Sequence, residues 1–322
     1  MRVVAIVNGY TGALCLQELV DQGDEVVGVV TMDYPAPGTP PESSVKLTAD
    51  RRYLPVYQPP QGNVNAPPFM DVLRRLAPDL IVSMHYPVIF KEALLDIPPL
   101  GVVNEHPSRL PAGRGMTPSF WHMLIGDTRN WISLHYLDPG IDTGDVIAQG
   151  SIEIAPDDTG ETTGHKLSEE GHRLFAAYLP LIRAGRAPRT PQAQIAGVTS
   201  SYYSWQAHYA RVPWARSSEE VALHVRTLSR PRGQSTGWAN CAYTYLAGRR
   251  IWVRRAVPLT GTRWDGGPAE PGEIVALLGE GLLVQTGAGL VLVTDADPAD
   301  DEVRGLAGVI EMAGGGRPAV LR

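Results

Sequence analysis

Asn104 and His106 stand one residue apart at the end of an apolar run, and Asp142 follows 36 residues after His106 inside Asp-Thr-Gly-Asp. In an extended strand a spacing of two points both side chains the same way. An amide can hold a carbonyl oxygen, an imidazole can move a proton, and a carboxylate can orient the imidazole. That set suits acyl transfer, in which an oxyanion forms and a proton has to be carried away. A single Asn or His at a strand end is usually a loop cap, so it is the combination that argues for chemistry. Asp138 and Asp145 share the loop of Asp142 and read as turn residues, because Asp forms local hydrogen bonds there. His85, His122 and His135 have no metal-type spacing and read as packing or surface residues, so no metal is expected.

Elements that could position this trio follow from the pattern around it. Leu100–Asn104 reads as a buried strand delivering polar groups at its C-terminal end, where open α/β sheets bind ligands. Val3–Val7, Glu25–Thr31, Leu80–Met84 and Trp131–Leu137 read as further strands. Helices are expected at Gly12–Gln22, Pro67–Ala77, Met116–Ile125 and Glu161–Arg183, the last from apolar Leu167, Leu174, Tyr178 and Leu181. Asp33 to about Pro60 reads as loop. Such alternation predicts an α/β fold, a mostly parallel sheet with helices on both faces. Arg186-Ala-Pro-Arg-Thr-Pro-Gln has linker texture. Beyond it lie a helix near Ser218–Ser229 and five short β-rich runs from Ala242 to Thr294, which suggest a small β-barrel. The expected division is 1–188, a linker over 189–204, and 205–322.

The 322 residues carry a net charge of −6, which argues against a general nucleic-acid footprint. Cys15 and Cys241 are the only cysteines, so a reducing cytoplasm is the default. Met-Arg-Val-Val-Ala-Ile-Val is too short for a signal core, and no stretch approaches the roughly 20 apolar residues of a membrane span. No membrane partner is expected. Asn8-Gly9-Tyr10-Thr11-Gly12 sits where a phosphate loop would lie. It is not Gly-x-Gly-x-x-Gly, and a tight strand-to-helix turn also needs Gly, so no dinucleotide site is read there.

The block Gly101-Val-Val-Asn-Glu-His-Pro-Ser-Arg-Leu-Pro-Ala-Gly-Arg-Gly115 and the later Pro139-Gly-Ile-Asp-Thr-Gly-Asp145 resemble the folate-dependent formyltransferases. Their signature is Asn-x-His-Pro-Ser-Leu-Leu-Pro followed by Asp-Thr-Gly-Asp. Pro78–Val82, Leu95–Gly101 and Asp158–Leu167 look like methionyl-tRNA formyltransferase segments in the same order. Val212-Pro-Trp214 and Pro271–Val275 look like that enzyme's C-terminal domain. Arg109 departs from the usual Leu and is either a substrate contact or a surface change. The resemblance implies a Rossmann-like catalytic domain followed by an OB-type barrel.

It also implies N10-formyltetrahydrofolate as co-substrate. Asn104 would hold the formyl oxygen, His106 would bind that oxygen or take the amine's proton, and Asp142 would orient His106. Folate contacts fall on Tyr86, Pro87, Val88 and Ile89 and on Leu137, Asp138, Gly140 and Ile141, because a pterin wants backbone hydrogen bonds at its edge and apolar groups on its face. Tyr10, Thr11, Arg109 and Arg114 are the expected acceptor contacts. The acceptor itself is read from charge. Asp33–Lys46, where the tRNA enzymes carry a basic insertion, has one Lys against two acids. Residues 201–322 hold thirteen Arg and no Lys against twelve Asp and Glu, a net of +1. A tRNA-binding domain should be more basic, although Arg249, Arg250, Arg254 and Arg255 could meet a phosphate. The expected partner is therefore a small-molecule amine: a nucleotide amino sugar, a siderophore precursor or a specialised metabolite. Nucleic acid is not expected as a partner, and oligomerisation is left open. Methionyl-tRNA formylation is the alternative, and a non-catalytic folate-binding protein the third reading.

Overall fold

Two largely apolar runs, Arg2–Val7 and Leu80–Met84, lie at the centre of the N-terminal sheet, because strands buried on both faces need no polar alternation. The computed structural model describes residues 1–32, 44–202, 207–229, 241–279, 281–299, 305–314 and 319–321. They divide into two compact units. The first is built from 1–119, 129–153 and 164–203, the second from 120–128, 154–163 and 204–322.

In the first unit β1 (Arg2–Val7) leads through α1 (Gly9–Asp21) to β2 (Glu25–Val30). After α2 (Val45–Arg51) come β3 (Val56–Tyr57), α3 (Pro67–Leu76), β4 (Leu80–Met84), α4 (Glu92–Leu95) and β5 (Val102–His106). Next in the chain are β6 (Arg114–Gly115), α5 (Pro118–Leu124), most of which belongs to the second unit, then β7 (Arg129–Tyr136), β8 (Val146–Glu153) and α6 (Gly160–Arg183), which belongs to the first unit from residue 164. The sheet order is β3-β2-β1-β4-β5-β7-β8. Strands β1 to β5 run parallel, while β7 pairs antiparallel with β5 and β8 antiparallel with β7.

Alternate residues of the central strands feed opposite layers. Val3, Ala5 and Val7 pack with Leu16 and Leu19 of α1 and with Phe175, Leu179 and Ile182 of α6. Val4 and Ile6 pack with Phe69, Met70 and Leu73 of α3 and Leu94 of α4. The expected sheet with helices on both faces is thus present. Three details differ from the sequence reading. Short α2 and β3 lie inside the stretch read as loop, with Ser44 capping α2 by accepting from Leu47 N at 3.3 Å. Strand β8 replaces a segment that carried no prediction. Leu181 points outward instead of joining Leu167 and Leu174 in the core.

Residues 189–202 are tied to the first unit at several points. Thr190 exchanges backbone hydrogen bonds with Val146 at 2.9 and 3.0 Å. Gln192–Gln194 forms a 3-10 turn, and β9 (Ser201–Tyr202) pairs in parallel with β6. The second unit holds α7 (Ser218–Thr227), whose Ser217 and Glu220 form a capping box. Strands β10 (Tyr243–Leu246), β11 (Arg249–Leu259), β12 (Glu273–Leu278), β13 (Gly281–Gln285) and β14 (Leu290–Pro298) follow, then α8 (Gly305–Met312) and β15 (Ala319–Val320). The strands form a six-stranded barrel-like layer in the order β10-β11-β14-β13-β12-β15. Val221 and Val225 of α7 and Val309 of α8 pack on Val253, Val284, Val291 and Val293.

Arg254 does not belong to an exposed basic cluster. It is buried and holds Asp297 through Nε and Nη2 at 2.8 and 3.1 Å. Among the described residues, no helix is long and apolar enough to cross a membrane.

Candidate active site

Strand β5 ends on Asn104-Glu-His106, and its pairing with β7 sets what faces these side chains. Asn104 lies opposite His135 and His106 opposite Ser133. The Asn104 Nδ2 is 3.0 Å from His135 Nε2. His135 Nδ1 lies 2.8 Å from the Tyr136 carbonyl. A carbonyl only accepts, so the ring proton sits on Nδ1 and Nε2 is left as the acceptor for Asn104. This network fixes the amide orientation and leaves the second Nδ2 hydrogen and Oδ1 of Asn104 unspent. Burial pushes the imidazole of His135 down to about 4, outweighing the opposite pull of Asp142. The ring is therefore neutral near pH 7.

His106 is buried, with Nε2 donating to Gly113 O at 2.8 Å and Nδ1 3.5 Å from Asp142 Oδ2. The Gly113 carbonyl only accepts, so Nε2 carries the proton it donates, and Nδ1 is the ring nitrogen that faces the Asp142 carboxylate. Asp142 Oδ1 lies 3.9 Å from His135 Nε2, so the carboxylate looks toward both imidazoles. Its Oδ2 accepts the Gly115 N–H at 2.8 Å. The backbone of Asp142 is left-handed, with φ of 52°, a conformation Asp tolerates better than most residues. The loop is also steered by Gly144, where a Cβ would collide with the Tyr136 carbonyl.

Glu105, between the two, points to the opposite face. It is buried there with Oε1 unpartnered, and Gly171 of α6 supplies the room, since a Cβ at that position would meet the Glu105 carboxyl. Burial pushes this carboxyl up to about 8.

Leu137 and Asp138 line a cavity of about 280 Å³ together with Leu95, Val102, Pro139 and Arg189. Val102 is two residues before Asn104 on the same face of β5, roughly 7 Å along the strand. Val88 and Leu137 both pack, half-buried, against the layer that contains Val102. Ile89 and Ile141 are large apolar side chains left 61% and 46% exposed. The residues present suit a flat heterocycle: apolar walls, plus loop backbone at its edge. Tyr86 faces inward, its hydroxyl donating to Gly62 O at 2.8 Å. Pro87 and Gly140 are exposed. Asp138 Oδ1 accepts from Gly140 N at 3.1 Å and Thr143 Oγ1 at 2.5 Å, a turn-building role.

The expected acceptor contacts are scattered. Thr11 is buried, its hydroxyl 2.7 Å from Ser168 Oγ between α1 and α6. Tyr10 stacks on His165 with ring centroids 4.9 Å apart. The Arg109 guanidinium lies over Trp131, 4.6 Å from the ring centroid. Arg114 reaches Gln192 Oε1 with Nε at 3.0 Å and Nη2 at 2.6 Å. None of these four touches Asn104, His106 or Asp142 through its side chain. Asn8, at the end of β1, accepts from Thr31 Oγ1 and Met32 N and donates to His85 O at 3.2 Å, stapling three strand ends together. The sequence reading missed His135, Gln192 and the Gly113 carbonyl, which matter through register and loop closure.

Residues 60–179 match the family described as formyl transferase, and residues 206–305 the formyl transferase C-terminal domain. The chain is 34% identical over 300 residues to the methionyl-tRNA formyltransferase of Geobacter sulfurreducens, covering 92% of this chain and 88% of that protein. It is 32% identical over 286 residues to that of Syntrophus aciditrophicus, covering 87% and 86%. WlaRD, a sugar 3N-formyl transferase solved with dTDP and 5-N-formyl-THF, superposes with a TM-score of 0.65 at 15% identity, over 93% of this chain and 97% of that one. HypX from Aquifex aeolicus, solved with tetrahydrofolic acid, gives 0.67 at 17% identity over 98% and 48%. At such identities these two structures establish shared fold.

Proposed function

The chain belongs to the formyltransferase family and is an enzyme that transfers formyl groups; on that premise we propose that it moves the formyl group of N10-formyltetrahydrofolate to the α-amine of methionyl-tRNA. The similarity to tRNA enzymes along nearly the whole of both chains supports this acceptor, and it reverses the order in which the sequence alone ranked the acceptors. The observation that carries the chemistry is the gathering of Asn104, His106 and Asp142 on one side of β5.

The co-substrate supplies an activated amide carbonyl. Asn104, oriented by His135, offers its remaining amide hydrogen to the formyl oxygen as the acceptor amine attacks the carbonyl carbon. A new C–N bond forms and the oxygen becomes an oxyanion, stabilised by Asn104. The attacking nitrogen then sheds a proton to Nδ1 of His106, and the Asp142 carboxylate beside it stabilises the charged ring. The bond to N10 breaks, the carbonyl reforms, and N10 takes up that proton from His106. The cavity lined by Leu95, Val102, Leu137 and Pro139 would hold the pterin.

A small-molecule amine is the second reading, favoured by the net +1 of residues 201–322 and by the one Lys against two acids in Asp33–Lys46, of which 33–43 lie outside the described residues. The two are separated by offering methionylated initiator tRNA and a panel of small amines with N10-formyltetrahydrofolate. A formylated tRNA, with binding that weakens steeply as salt rises, supports the first reading. A product heavier by one formyl group on a small amine, with the tRNA untouched, replaces it with the second.

A further inference from the structure

Gln192 carries a fully used carboxamide at a point where the sequence shows only a linker. It is 5% exposed. Its Nε2 donates to the carbonyls of Asp142 and Gly144, each at 2.8 Å. Its Oε1 accepts twice from the Arg114 guanidinium, at 3.0 and 2.6 Å. Only one amide orientation works, because both carbonyls need donors and a guanidinium offers nothing else. Residue 115, next in the chain after Arg114, donates its N–H to the Asp142 carboxylate at 2.8 Å. The contacts therefore close a ring: Arg114 side chain to Gln192, Gln192 to the Asp142 backbone, and the Asp142 carboxylate back to Gly115.

The ring holds a conformation that is not free. Asp142 has a φ of 52°, and a non-glycine residue there costs about 1–2 kcal/mol unless its surroundings fix it. The two carbonyls on Gln192 flank Thr143, so one side chain grips both ends of the turn that aims Asp142 Oδ2 at His106. The pairing of Thr190 with Val146, two residues earlier, brings Gln192 to this place.

We propose that Gln192, anchored by Arg114, is a positioning residue for the transfer reaction: it fixes the backbone turn that presents the Asp142 carboxylate to His106. This assigns Arg114 to the clamp instead of to the acceptor. The proposal rests on the reading of Asn104, His106 and Asp142 as the transfer site, and it makes a prediction that stands apart from turnover.

The test uses Gln192→Met, which keeps volume and removes every hydrogen bond, in the wild-type and Asp142→Asn backgrounds. Gln192→Met is expected to lower kcat by about 10–100-fold, the usual range for a residue that orients another, with a smaller change in the acceptor KM. In the Asp142→Asn enzyme the same change should cost less than about 3-fold, because a residue acting through Asp142 has nothing left to orient. Equal losses in both backgrounds would overturn the proposal. In parallel, the Gly115 amide in a 1H–15N spectrum should move upfield and exchange faster in Gln192→Met, as its carboxylate acceptor shifts away. An unmoved Gly115 amide overturns the clamp even if kcat falls. A wild-type protein without turnover but with the Gly115 response would overturn the transfer reading and leave the clamp standing. If Gln192→Met does not fold, Arg114→Met takes its place with the same expected direction in both readouts.

Discussion

The 3.0 Å contact between Asn104 Nδ2 and His135 Nε2 makes one histidine the orienter of the Asn104 amide, because the proton of His135 is already committed to the Tyr136 carbonyl. His135→Leu should therefore lower kcat by about 10–100-fold while the protein still binds tetrahydrofolate. His135→Gln, which offers a carbonyl to the Asn104 amide, should recover part of that loss. Steady-state kinetics of the two variants checks the expectation, and equal rates for Leu and Gln would remove the orienting role.

Asn104→Ala should cost about 10²–10³ in kcat, the range for loss of one oxyanion donor. His106→Ala should cost at least as much if that ring takes the proton of the attacking amine, as proposed. Single-turnover rates on preformed complexes are the appropriate measure. The double variant should fall well short of the product of the two single losses, because the residues act as a unit.

Glu105 makes stability depend on pH. Its folded carboxyl is held up at about 8 by burial, against an ordinary value of 4.5. The folded state thus binds the extra proton between those values, so its stability falls as pH rises through that window. The contribution is complete below about 4.5 and gone above about 8. Glu105→Gln keeps the shape without the ionisation. Thermal midpoints measured from pH 5 to 9 should decline more steeply for the wild type than for Glu105→Gln, and parallel curves would show that the carboxyl does not carry the effect.

Gly144→Ala should lower both stability and activity, because its Cβ would collide with the Tyr136 carbonyl and push the Asp142 turn outward. A loss of about 2 kcal/mol or more in denaturant unfolding is expected, with kcat falling further than the folded fraction explains. Gly140→Ala would meet only the Thr143 side chain, which can move, and should be milder.

Breaking one partner of the buried Arg254–Asp297 pair should destabilise the second unit by about 3–5 kcal/mol, because a buried charge loses its bidentate counter-ion. Asp297→Asn followed by urea unfolding tests this. A cost below about 1 kcal/mol would mean that the pair is hydrated.

Much of this organisation is written in local sequence. The continuous Val/Ile/Ala run of β1 and the Leu80–Met84 run announce buried parallel strands, and Asn104-Glu-His106 with Asp142 announces the cluster of polar groups that the fold gathers. His135 reads in the sequence only as a packing or surface residue, because its contact with Asn104 depends on antiparallel register between β5 and β7, and a lone histidine in an apolar strand carries no trace of its partner. Gln192 lies 50 residues beyond Asp142 in a Pro-rich stretch with linker texture, so only the folded chain brings the two together. Arg254 looked exposed beside Arg249, Arg250 and Arg255. Irregular pairing between β11 and β14 around Arg255, which no residue pattern announces, accompanies its inward turn toward Asp297.

The most direct measurement follows release of tetrahydrofolate from N10-formyltetrahydrofolate, with methionylated initiator tRNA as acceptor, in wild type and His106→Ala. Stoichiometric tetrahydrofolate and formyl-methionyl-tRNA in the wild type, reduced at least about 10²-fold in the variant, is the predicted result. Undiminished transfer by His106→Ala would contradict the assignment of chemistry to the Asn104–His106–Asp142 face.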